Sequence, residues 1–254
     1  MFDLQEKKAF ITGGSSGIGL AVAKRYLKAG AEVVISDISD GSEIAASIGA
    51  AFIRADVGDE QNLSEALAQA ESLLGKLDIV VNNAGVGDIG SMIEGTEQQM
   101  LEHITRINQW GVFYGLKHAP KHMNDGGSII NTSSMAAYIC IPGTGAYTAT
   151  KGAVLNLTRQ SALELAARNI RVNAVCPGYI DTPMSGDAES YALAEAMTPL
   201  GRMGQVEDLV GAFHYLAADE SSYYTGQIMQ IDGGWTTGPT PRLMESIIGK
   251  THTG

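Results

Sequence analysis

The sequence is poor in several features that define whole classes of protein. Its 254 residues include only two cysteines, Cys140 and Cys176, with no CxxC spacing and no histidine cluster near them, so we expect reduced thiols and no metal site. No run of basic residues is longer than two and the net charge is −11, which argues against a nucleic-acid binder. No apolar stretch approaches the roughly 18 residues of a membrane span, and the N-terminus lacks the order of a signal peptide. These absences predict a soluble, cytoplasmic protein with no membrane partner.

The sequence does contain a repeated alternation of short β-branched segments with longer helical patterns. The segments KKAFIT, EVVIS, AFIRAD and KLDIVVNNAG are each followed by a helical pattern, and GSIINTSS, RVNAVCPG and GQIMQIDGG predict three further strands. This alternation is typical of a parallel sheet covered by helices on both faces. No Pro- or Ser-rich linker divides residues 1–254. The sequence therefore predicts an α/β fold, a single doubly wound Rossmann-type domain with a seven-stranded parallel sheet.

A glycine-rich segment follows the first predicted strand. The stretch TGGSSGIG places Gly13, Gly17 and Gly19 in a strand–turn–helix context, where N–H groups at the start of a helix stabilise a pyrophosphate. Such glycines also serve ordinary turns, so the motif alone is weak evidence. The second strand ends at Asp37, which can accept both hydroxyls of an adenosine ribose or can simply end the strand. The two features together predict NAD as the cofactor. Asp56, at the end of the third strand, is placed for the adenine edge or for a turn.

A tyrosine and a lysine lie four positions apart at the start of the helical pattern GAYTATKGAVLNLTRQSALELA. On a helix Tyr147 and Lys151 would be neighbours on one face. Lowering the pKa of a phenol from about 10 by two or three units requires roughly 3–4 kcal/mol, and a cation about 4 Å away supplies a contribution of that size. An arbitrary YxxxK pair is most often a solvated helix start. Here the preceding strand, SIINTSS, ends in hydroxyls at the edge where open parallel sheets bind ligands.

Five motifs together resemble one family. TGGSSGIG, NNAG at 82–85, NTSS, YTATK and CPG at 176–178 have the order and spacing of the short-chain dehydrogenase/reductases, from Lys8 to about Trp235. The resemblance implies that the catalytic residues are Asn108, Ser134, Tyr147 and Lys151. Ser134 is favoured over Ser133 because the family's serine lies 13 residues before the tyrosine, and 147 − 134 = 13. One departure is Ala137, where many relatives have glycine, which alters the pocket wall.

The resemblance also implies a set of cofactor contacts. These residues are Gly13, Ser15, Ser16, Gly17, Ile18, Gly19, Asp37, Asp56, Val57, Asn83, Ala84, Gly85, Tyr147, Lys151, Pro177, Gly178, Ile180 and Thr182. Within NNAG, Asn82 or Asn83 is expected to be mainly structural, and Thr182 is expected to meet the nicotinamide carboxamide. The implied reaction is reversible hydride transfer between nicotinamide and a carbonyl carbon, with a tyrosine as general acid/base.

Three predicted loops wall the substrate side of this site. They begin at Val86, Met135 and Tyr179 and contain no lysine or arginine, so an anionic substrate would lack a countercharge. Their apolar side chains suit a neutral, mainly hydrophobic secondary alcohol or ketone, although Leu193 could equally pack the lid against the body. These side chains are Met92, Ile139, Ile141, Met184, Leu193 and Met197. We expect residues of about 183–204 to form a substrate lid and about 235–254 to form a C-terminal tail.

Two other functions fit parts of the pattern. A 3-oxoacyl-carrier-protein reductase using NADPH would share every motif, but Asp37 and the acidic net charge disfavour it. A non-catalytic dinucleotide-binding regulator would have lost the tyrosine, lysine or serine, and all three are present. The segment DGGWTTGPT is similar to that of bacterial hydroxysteroid and cyclic-alcohol dehydrogenases of the family. Because family members are commonly tetramers of 222 symmetry, we expect a homotetramer.

Overall fold

The computed structural model describes residues 2–87 and 92–249. Part of the predicted substrate loop, residues 88–91, and the end of the predicted tail, residues 250–254, lie outside the described residues. The strands are β1 (Lys8–Thr12), β2 (Glu32–Asp37), β3 (Ala51–Arg54), β4 (Leu77–Asn82), β5 (Met123–Thr132), β6 (Arg171–Pro177) and β7 (Ile228–Ile231). The helices are α1 (Gly17–Lys28), α2 (Ser42–Ile48), α3 (Glu60–Leu74), α4 (Gln98–Thr105), α5 (Gly111–His122), α6 (Gly145–Leu165), α7 (Ala188–Met197), α8 (Val206–Ala217) and α9 (Pro241–Ile248).

The seven strands form one parallel sheet in the order β3-β2-β1-β4-β5-β6-β7. The predicted seven-stranded, doubly wound sheet is confirmed. The chain moves outwards from β1 in one direction through β3 and then returns to place β4 on the other side of β1. Ligands of such sheets bind beyond the carboxyl ends of the strands at this point of reversal. The topology therefore locates a crevice after β1 and β4.

The core has two halves, one on each face of the sheet. Consecutive strand residues point to opposite faces, so Phe10 belongs to the half covered by α3, α5 and α6, whereas Ile11 belongs to the half covered by α1 and α8. Both side chains are fully buried. Because both faces are covered, the central strands are continuous apolar runs rather than alternating patterns. Within residues 2–87 and 92–249, no helix combines the length and apolarity needed to cross a lipid bilayer.

The helical stretch predicted after β4 is not one regular helix. The structure divides it into α4, a π-helical turn at Arg106–Trp110, and α5, which ends one residue before β5 begins at Met123. A π-helical turn widens the helix by one residue and occurs often at functional sites. The 3.6-residue periodicity could not reveal it, since the pattern simply continues on either side. Its consequence is the placement of Asn108, which lies in the wide turn.

The last described part of the chain packs on the helix of the predicted lid. Helix α7 lies within residues 183–204, and α9 contacts it. The Thr240 hydroxyl donates to the Ala196 carbonyl at 3.0 Å, and Arg242 pairs with Glu195 at 3.0 Å. Thr240 also caps α9 by accepting from the Leu243 N–H at 3.1 Å. The tail up to Ile248 is therefore attached to α7.

Candidate active site

A cleft with a volume of about 670 Å³ lies beyond the carboxyl ends of β1, β4, β5 and β6. Its lining includes the glycine turn, the ends of β2 and β3, the segment after β4, the serines after β5 and the segment after β6. Of the residues predicted from sequence, the cleft is lined by Gly13, Ser16, Gly17, Ile18, Asp37, Asp56, Val57, Asn83, Ala84, Gly85, Ser134, Tyr147, Lys151, Pro177, Gly178, Ile180 and Thr182. The volume is within the range of small-molecule and cofactor sites.

The glycine turn is built for close backbone approach. Gly13 and Gly17 have φ of +63° and +50°, a region that other residues rarely adopt. A Cβ added to Gly13 would lie 2.8 Å from Ala84 Cα, and one added to Gly19 would lie 2.2 Å from the Gly13 carbonyl oxygen. Gly19 does not line the cleft, so it allows the helix to pack against the turn. Gly19 therefore contributes to the shape of the glycine turn and does not face the cleft.

The N-terminus of α1 is open toward this turn. Its N-cap residue, Ser16, makes no side-chain capping hydrogen bond, and no acidic residue occupies the first helical turn. The N–H groups at the helix start and the positive end of the helix dipole therefore have no anion supplied by the first turn. This arrangement fits a pyrophosphate, which supplies the missing acceptors.

Asp37 lies at the end of β2 and lines the far end of the cleft. Its carboxylate accepts from the N–H of Ser15 at 3.3 Å and from the N–H of Ser39 at 3.2 Å. Ser15 is buried and does not line the cleft, so its amide orients Asp37 from behind. A cation lies close to Asp37. Arg54 donates through Nε to the carbonyl of Ile38, the residue after Asp37, at 2.8 Å. Sequence analysis assigned no role to this arginine, which β-sheet pairing brings alongside Asp37.

Asp56 is held by an ion pair that sequence reasoning missed. Arg106, in the π-helical turn, donates to its carboxylate at 2.8 Å, and the Gly58 N–H donates at 2.8 Å. Burial by itself raises the pKa of Asp56, but the hydrogen bond from Arg106 and that from Gly58 leave it below its usual value. The carboxylate therefore stays ionised at the edge of the cleft beside Val57. Arg106 lies 50 residues away in the chain, so no local pattern could reveal the pair.

A buried polar network connects the glycine turn to the other side of the cleft. Asn83 donates through Nδ2 to the carbonyls of Thr12 and Gly13 at 3.1 and 3.3 Å. Its Oδ1 accepts from the Thr132 hydroxyl at 3.2 Å, and the Thr132 carbonyl accepts from Lys151 Nζ at 3.1 Å. Asn83 thus ties β1, β4 and β5 together. The mainly structural role expected for the NNAG segment stays a prediction, which these hydrogen bonds support.

Of the four residues predicted to be catalytic, Ser134, Tyr147 and Lys151 line one wall of the cleft, and Asn108 lies beside that wall. Lys151 Nζ lies 5.6 Å from the centroid of the Tyr147 ring, and Ser134, which follows β5, is close enough to hydrogen-bond the Tyr147 hydroxyl. Asn108 is fully buried and does not line the cleft. A Cβ added to Gly85 would lie 3.1 Å from Asn108 Oδ1 and 3.3 Å from Lys151 Nζ, so both side chains meet beside that glycine.

Asn108 is bound to the segment after β4 through both ends of its amide. Its Oδ1 accepts from the Val86 N–H at 2.8 Å, and its Nδ2 donates to the Val86 carbonyl at 2.9 Å. The side chain thereby joins the π-helical turn to the wall of the cleft.

The ionisation of the tyrosine and the lysine differs from the sequence-based expectation. Burial raises the pKa of Tyr147, and the hydrogen bond from Ser134 lowers it by less. Burial also lowers the pKa of Lys151 to about 8. The expected lowering of the tyrosine pKa by the lysine is therefore absent in the unliganded protein, because desolvation outweighs the interaction between the two side chains.

Cys176 is a buried neighbour of this wall. It is the last residue but one of β6 and is fully buried. Burial raises the pKa of its thiol to about 11, while Ser133 and the Ser134 backbone act in the opposite direction. A thiol with this pKa stays protonated at neutral pH. The structure places it under the serines as a small hydrophobic group, and Cys140 is an exposed free thiol.

The substrate side of the cleft is mainly apolar. Sequence reasoning named Ile141 and Met184 there, and both line the cleft, whereas Met92, Ile139, Leu193 and Met197 do not. Met184 closes against the opposite wall, since a Cβ on Gly87 would lie 3.2 Å from its Cγ. Lining residues that were not among the predicted contacts include Val86, Tyr179 and Pro183. Within the described part of the lining, the charged residues are Asp37, Asp56 and Lys151, and none of the three lies on the loops that wall the substrate side.

Thr182 faces the glycine turn. A Cβ on Gly17 would lie 3.5 Å from Thr182 Cγ2, and the Thr182 hydroxyl lies 3.2 Å from that of Ser185. Thr182 and Pro183 both line the cleft, so the segment after β6 reaches the glycine turn. Among the described residues, no three histidine, cysteine or acidic side chains are grouped as they would be around a metal ion.

Comparison with known proteins agrees with this architecture. A family model described as enoyl-(acyl carrier protein) reductase matches residues 13–236. The chain is 36% identical to cis-4-hydroxycyclohexanecarboxylate dehydrogenase of Sinomonas cyclohexanicum, over 91% of this chain and 97% of that protein. It is 37% identical to NADP-dependent (R)-specific alcohol dehydrogenase of Lentilactobacillus kefiri, over 92% of this chain and 98% of that protein. The crystal structure of a short-chain type dehydrogenase/reductase from Mycobacterium marinum superposes with a TM-score of 0.87 at 39% identity, covering 93% of this chain and 98% of that one.

Proposed function

The chain belongs to the short-chain dehydrogenase/reductase family, and on that basis we propose that it oxidises a neutral, mainly hydrophobic secondary alcohol to a ketone, reversibly, with NAD. The family assignment makes it an oxidoreductase of alcohols and ketones that uses a nicotinamide dinucleotide. One observation carries the finer proposal. Tyr147, Lys151 and Ser134 converge on one wall of a cleft whose far end carries an open helix N-terminus and Asp37.

The choice of NAD over NADP rests on Asp37. A carboxylate at the end of β2 would face the 2′-phosphate of NADP, and like charges brought together cost several kcal/mol. The relative from Lentilactobacillus kefiri is NADP-dependent, so family membership does not decide the coenzyme. Arg54 is the cation closest to this position along the sheet, but it is exposed and donates to the Ile38 carbonyl. We therefore expect the Asp37 carboxylate, which lies on the cleft surface, to influence the choice of coenzyme more strongly than Arg54 does.

The proposed mechanism assigns one role to each residue on the wall. Bound NAD supplies the acceptor for the hydride that leaves the alcohol carbon. Tyr147 takes the hydroxyl proton during oxidation and returns it during reduction, while Ser134 holds the same oxygen. Lys151, anchored on the Thr132 carbonyl, holds positive charge near the phenol and would hydrogen-bond the nicotinamide ribose. Asn108 keeps the wall in place through its two bonds to Val86, and we propose that it holds a water linking Lys151 to solvent.

Because Tyr147 is buried, its ionisation depends strongly on the charges beside it. In the unliganded protein the raised pKa keeps Tyr147 protonated at neutral pH. A positive charge beside a phenol stabilises the phenolate, so a cationic ligand would bring its pKa back toward the working range. Alcohol oxidation requires the phenolate, whereas ketone reduction requires the protonated phenol. We therefore expect the pH optimum of oxidation to be more alkaline than that of reduction.

The substrate is proposed to be uncharged. No lysine or arginine lies in the described part of the loops that wall the substrate side, so a carboxylate, or the phosphate of a coenzyme A or carrier-bound thioester, would be desolvated there without a countercharge. The relative from Sinomonas cyclohexanicum is named for a substrate that carries a carboxylate, which makes hydroxy acids the first compounds to compare. Ile141 and Met184 favour an alicyclic, aryl-alkyl or steroidal carbon skeleton.

A second candidate is reduction of a carrier-bound acyl chain with NADPH. The description of the matching family model, an enoyl-(acyl carrier protein) reductase, favours it. The net charge of −11 opposes docking of an acidic carrier protein, and Asp37 opposes NADPH. A regulator without catalysis stays a remote alternative, because all four predicted catalytic residues are present.

The proposed assembly is a homotetramer in the cytoplasm. The outward faces of the α5 region expose large aromatic side chains, with Trp110 45% and Phe113 48% exposed. Apolar surface of this kind on a long helix is suited to pairing between subunits. Both cysteines are free thiols, which suits a reducing compartment.

The test is turnover of cyclohexanol and 1-phenylethanol with NAD, followed at 340 nm. We expect Tyr147→Phe to bind NAD and fold normally while losing several orders of magnitude in kcat, since only the exchangeable proton is removed. Ser134→Ala should lose less but still more than tenfold. Near-normal turnover by the Tyr147→Phe variant would disprove the mechanism, and activity restricted to acyl thioesters or hydroxy acids would disprove the substrate class.

A further inference from the structure

Tyr179 is a cleft-lining residue to which the proposed mechanism gives no role. It follows the Pro177 and Gly178 pair at the end of β6 and lines the cleft on the substrate side. Its ring stacks on the ring of Trp235, with centroids 5.2 Å apart and an angle of 18° between the planes. Trp235 is only 7% exposed, so it supports the tyrosine from within the protein. The part of the Tyr179 ring that Trp235 leaves uncovered contributes to the cleft surface.

The turn that carries Trp235 is held by hydrogen bonds and close packing. The Asp232 carboxylate accepts from the N–H groups of Gly234 and Thr236, both at 2.9 Å. Gly233 has φ of +63°, and a Cβ there would lie 2.4 Å from Thr198 Cγ2 at the end of the lid helix. The turn is thus wedged between the end of β6 and the end of α7. It fixes the position of the Tyr179 ring and joins it to the lid.

The Tyr179 hydroxyl is available to a ligand. Among the described residues it makes no hydrogen bond, although the ring is half-buried. Tyr147 and Tyr179 both line the cleft, and Tyr179 adds a small contribution to the raised pKa of Tyr147. Burial and, after it, the nearby Asp187 raise the pKa of Tyr179, so the hydroxyl remains a donor at neutral pH.

The charge of Asp187 restricts what this hydroxyl can recognise. Its carboxylate accepts from the Ser190 N–H at 2.8 Å and from the Ser190 hydroxyl at 3.0 Å, and these bonds lower the pKa of Asp187. An ionised carboxylate near Tyr179 repels an anionic group on a ligand. A neutral hydroxyl or carbonyl oxygen meets no such repulsion and accepts the hydrogen bond.

We propose that Tyr179 determines substrate specificity by packing against a substrate ring and donating a hydrogen bond to a second, uncharged oxygen on that ring. The inference rests on the proposed function, since it concerns the same cleft. The enzyme accordingly prefers ring alcohols that carry a further hydroxyl or oxo group over simple ring alcohols and over hydroxy acids. Trp235 acts as a positioning residue, because it stacks on the tyrosine and does not itself line the cleft.

The experiment compares kcat/KM for cyclohexane-1,4-diol, cyclohexanol and 4-hydroxycyclohexanecarboxylate with NAD. In the wild-type protein we expect the diol to be the best of the three. Tyr179→Phe should lower kcat/KM for the diol by roughly three- to tenfold, the effect of one hydrogen bond, mainly through KM, and should affect kcat/KM for cyclohexanol less than that for the diol. Tyr223→Phe, which alters a fully exposed tyrosine, is the matched control and should change neither.

A second variant tests the support from behind. Trp235→Leu should raise KM for both ring alcohols with little change in kcat, and Trp235→Phe should restore most of the affinity, which loss of folding alone would not do. An equal effect of Tyr179→Phe on diol and cyclohexanol, or a preference of the wild-type protein for the carboxylate, would overturn the inference. Failure of the wild-type protein to oxidise any of these alcohols would instead overturn the proposed function.

Discussion

The coenzyme preference gives the sharpest prediction, because one charge can be removed with little change in shape. In Asp37→Asn the side chain keeps an oxygen that can accept from the Ser15 or the Ser39 N–H, which hold the carboxylate at 3.3 and 3.2 Å. The variant therefore alters mainly the charge that would face a 2′-phosphate. We expect NAD to be preferred by the wild-type protein and NADP to gain relative to NAD in the variant.

The size of the gain follows from Coulomb's law. Two unit charges about 5 Å apart repel by about 0.8 kcal/mol in water and by about 3 kcal/mol at an effective dielectric of 20. Asp37 is partly exposed, so the true value lies between these limits, and a phosphate carries more than one charge. Since about 1.4 kcal/mol corresponds to a factor of ten, the ratio of kcat/KM for NADP to that for NAD should rise about tenfold or more.

The assay is initial-rate kinetics with both coenzymes at one alcohol concentration and fixed ionic strength. Asp40→Asn is the matched control, because Asp40 is an exposed acid three residues further along that hydrogen-bonds Ser42. It should leave the ratio within about twofold. Arg54→Gln should lower whatever NADP activity exists. An unchanged coenzyme ratio in Asp37→Asn, or a wild-type preference for NADP, would refute the assignment of Asp37.

Three further predictions concern stability and assembly. Burial lowers the pKa of Lys151 from 10.5 to about 8, so between these values the unfolded chain binds more protons at this residue, which contributes a rise of up to about 3 kcal/mol in the free energy of unfolding. Burial raises the pKa of Cys176 from 9.0 to about 11 and raises that of Tyr147, and both groups oppose this rise at higher pH. The free energy of unfolding of the unliganded protein should therefore rise with pH between about 8 and about 9, before the unfolded thiol ionises, and Lys151→Met should remove that rise in urea denaturation. Gly19→Ala places a Cβ 2.2 Å from the Gly13 carbonyl oxygen and should cost about 1–3 kcal/mol and weaken NAD binding in calorimetry, whereas Gly211→Ala, with nothing within 4 Å, should stabilise α8 by up to about 1 kcal/mol. Multi-angle light scattering should give four times the chain mass of 26.7 kDa, and a stable monomer at micromolar concentration would contradict the tetramer.

The sequence by itself determined the features that depend on local pattern. The alternation of β-branched and helical segments predicted a seven-stranded doubly wound sheet, because the periodicity of each strand or helix depends only on residues that follow one another in the chain. The glycine turn followed by Asp37 and the four-residue spacing of Tyr147 and Lys151 predicted which side chains would share a cleft. Both predictions depend on neighbouring positions, and the structure places these residues on one cleft.

Only the tertiary structure decided the features that depend on distant residues or on burial. The pair of Asp56 with Arg106 and the stack of Tyr179 on Trp235 join positions 50 and 56 residues apart, since 106 − 56 = 50 and 235 − 179 = 56. The raised pKa of Tyr147 is a second example. Sequence spacing predicted that Lys151 would lower it, but the outcome depends on how much water the folded chain removes from the phenol. Desolvation is a property of the assembled surroundings, and no local pattern encodes it.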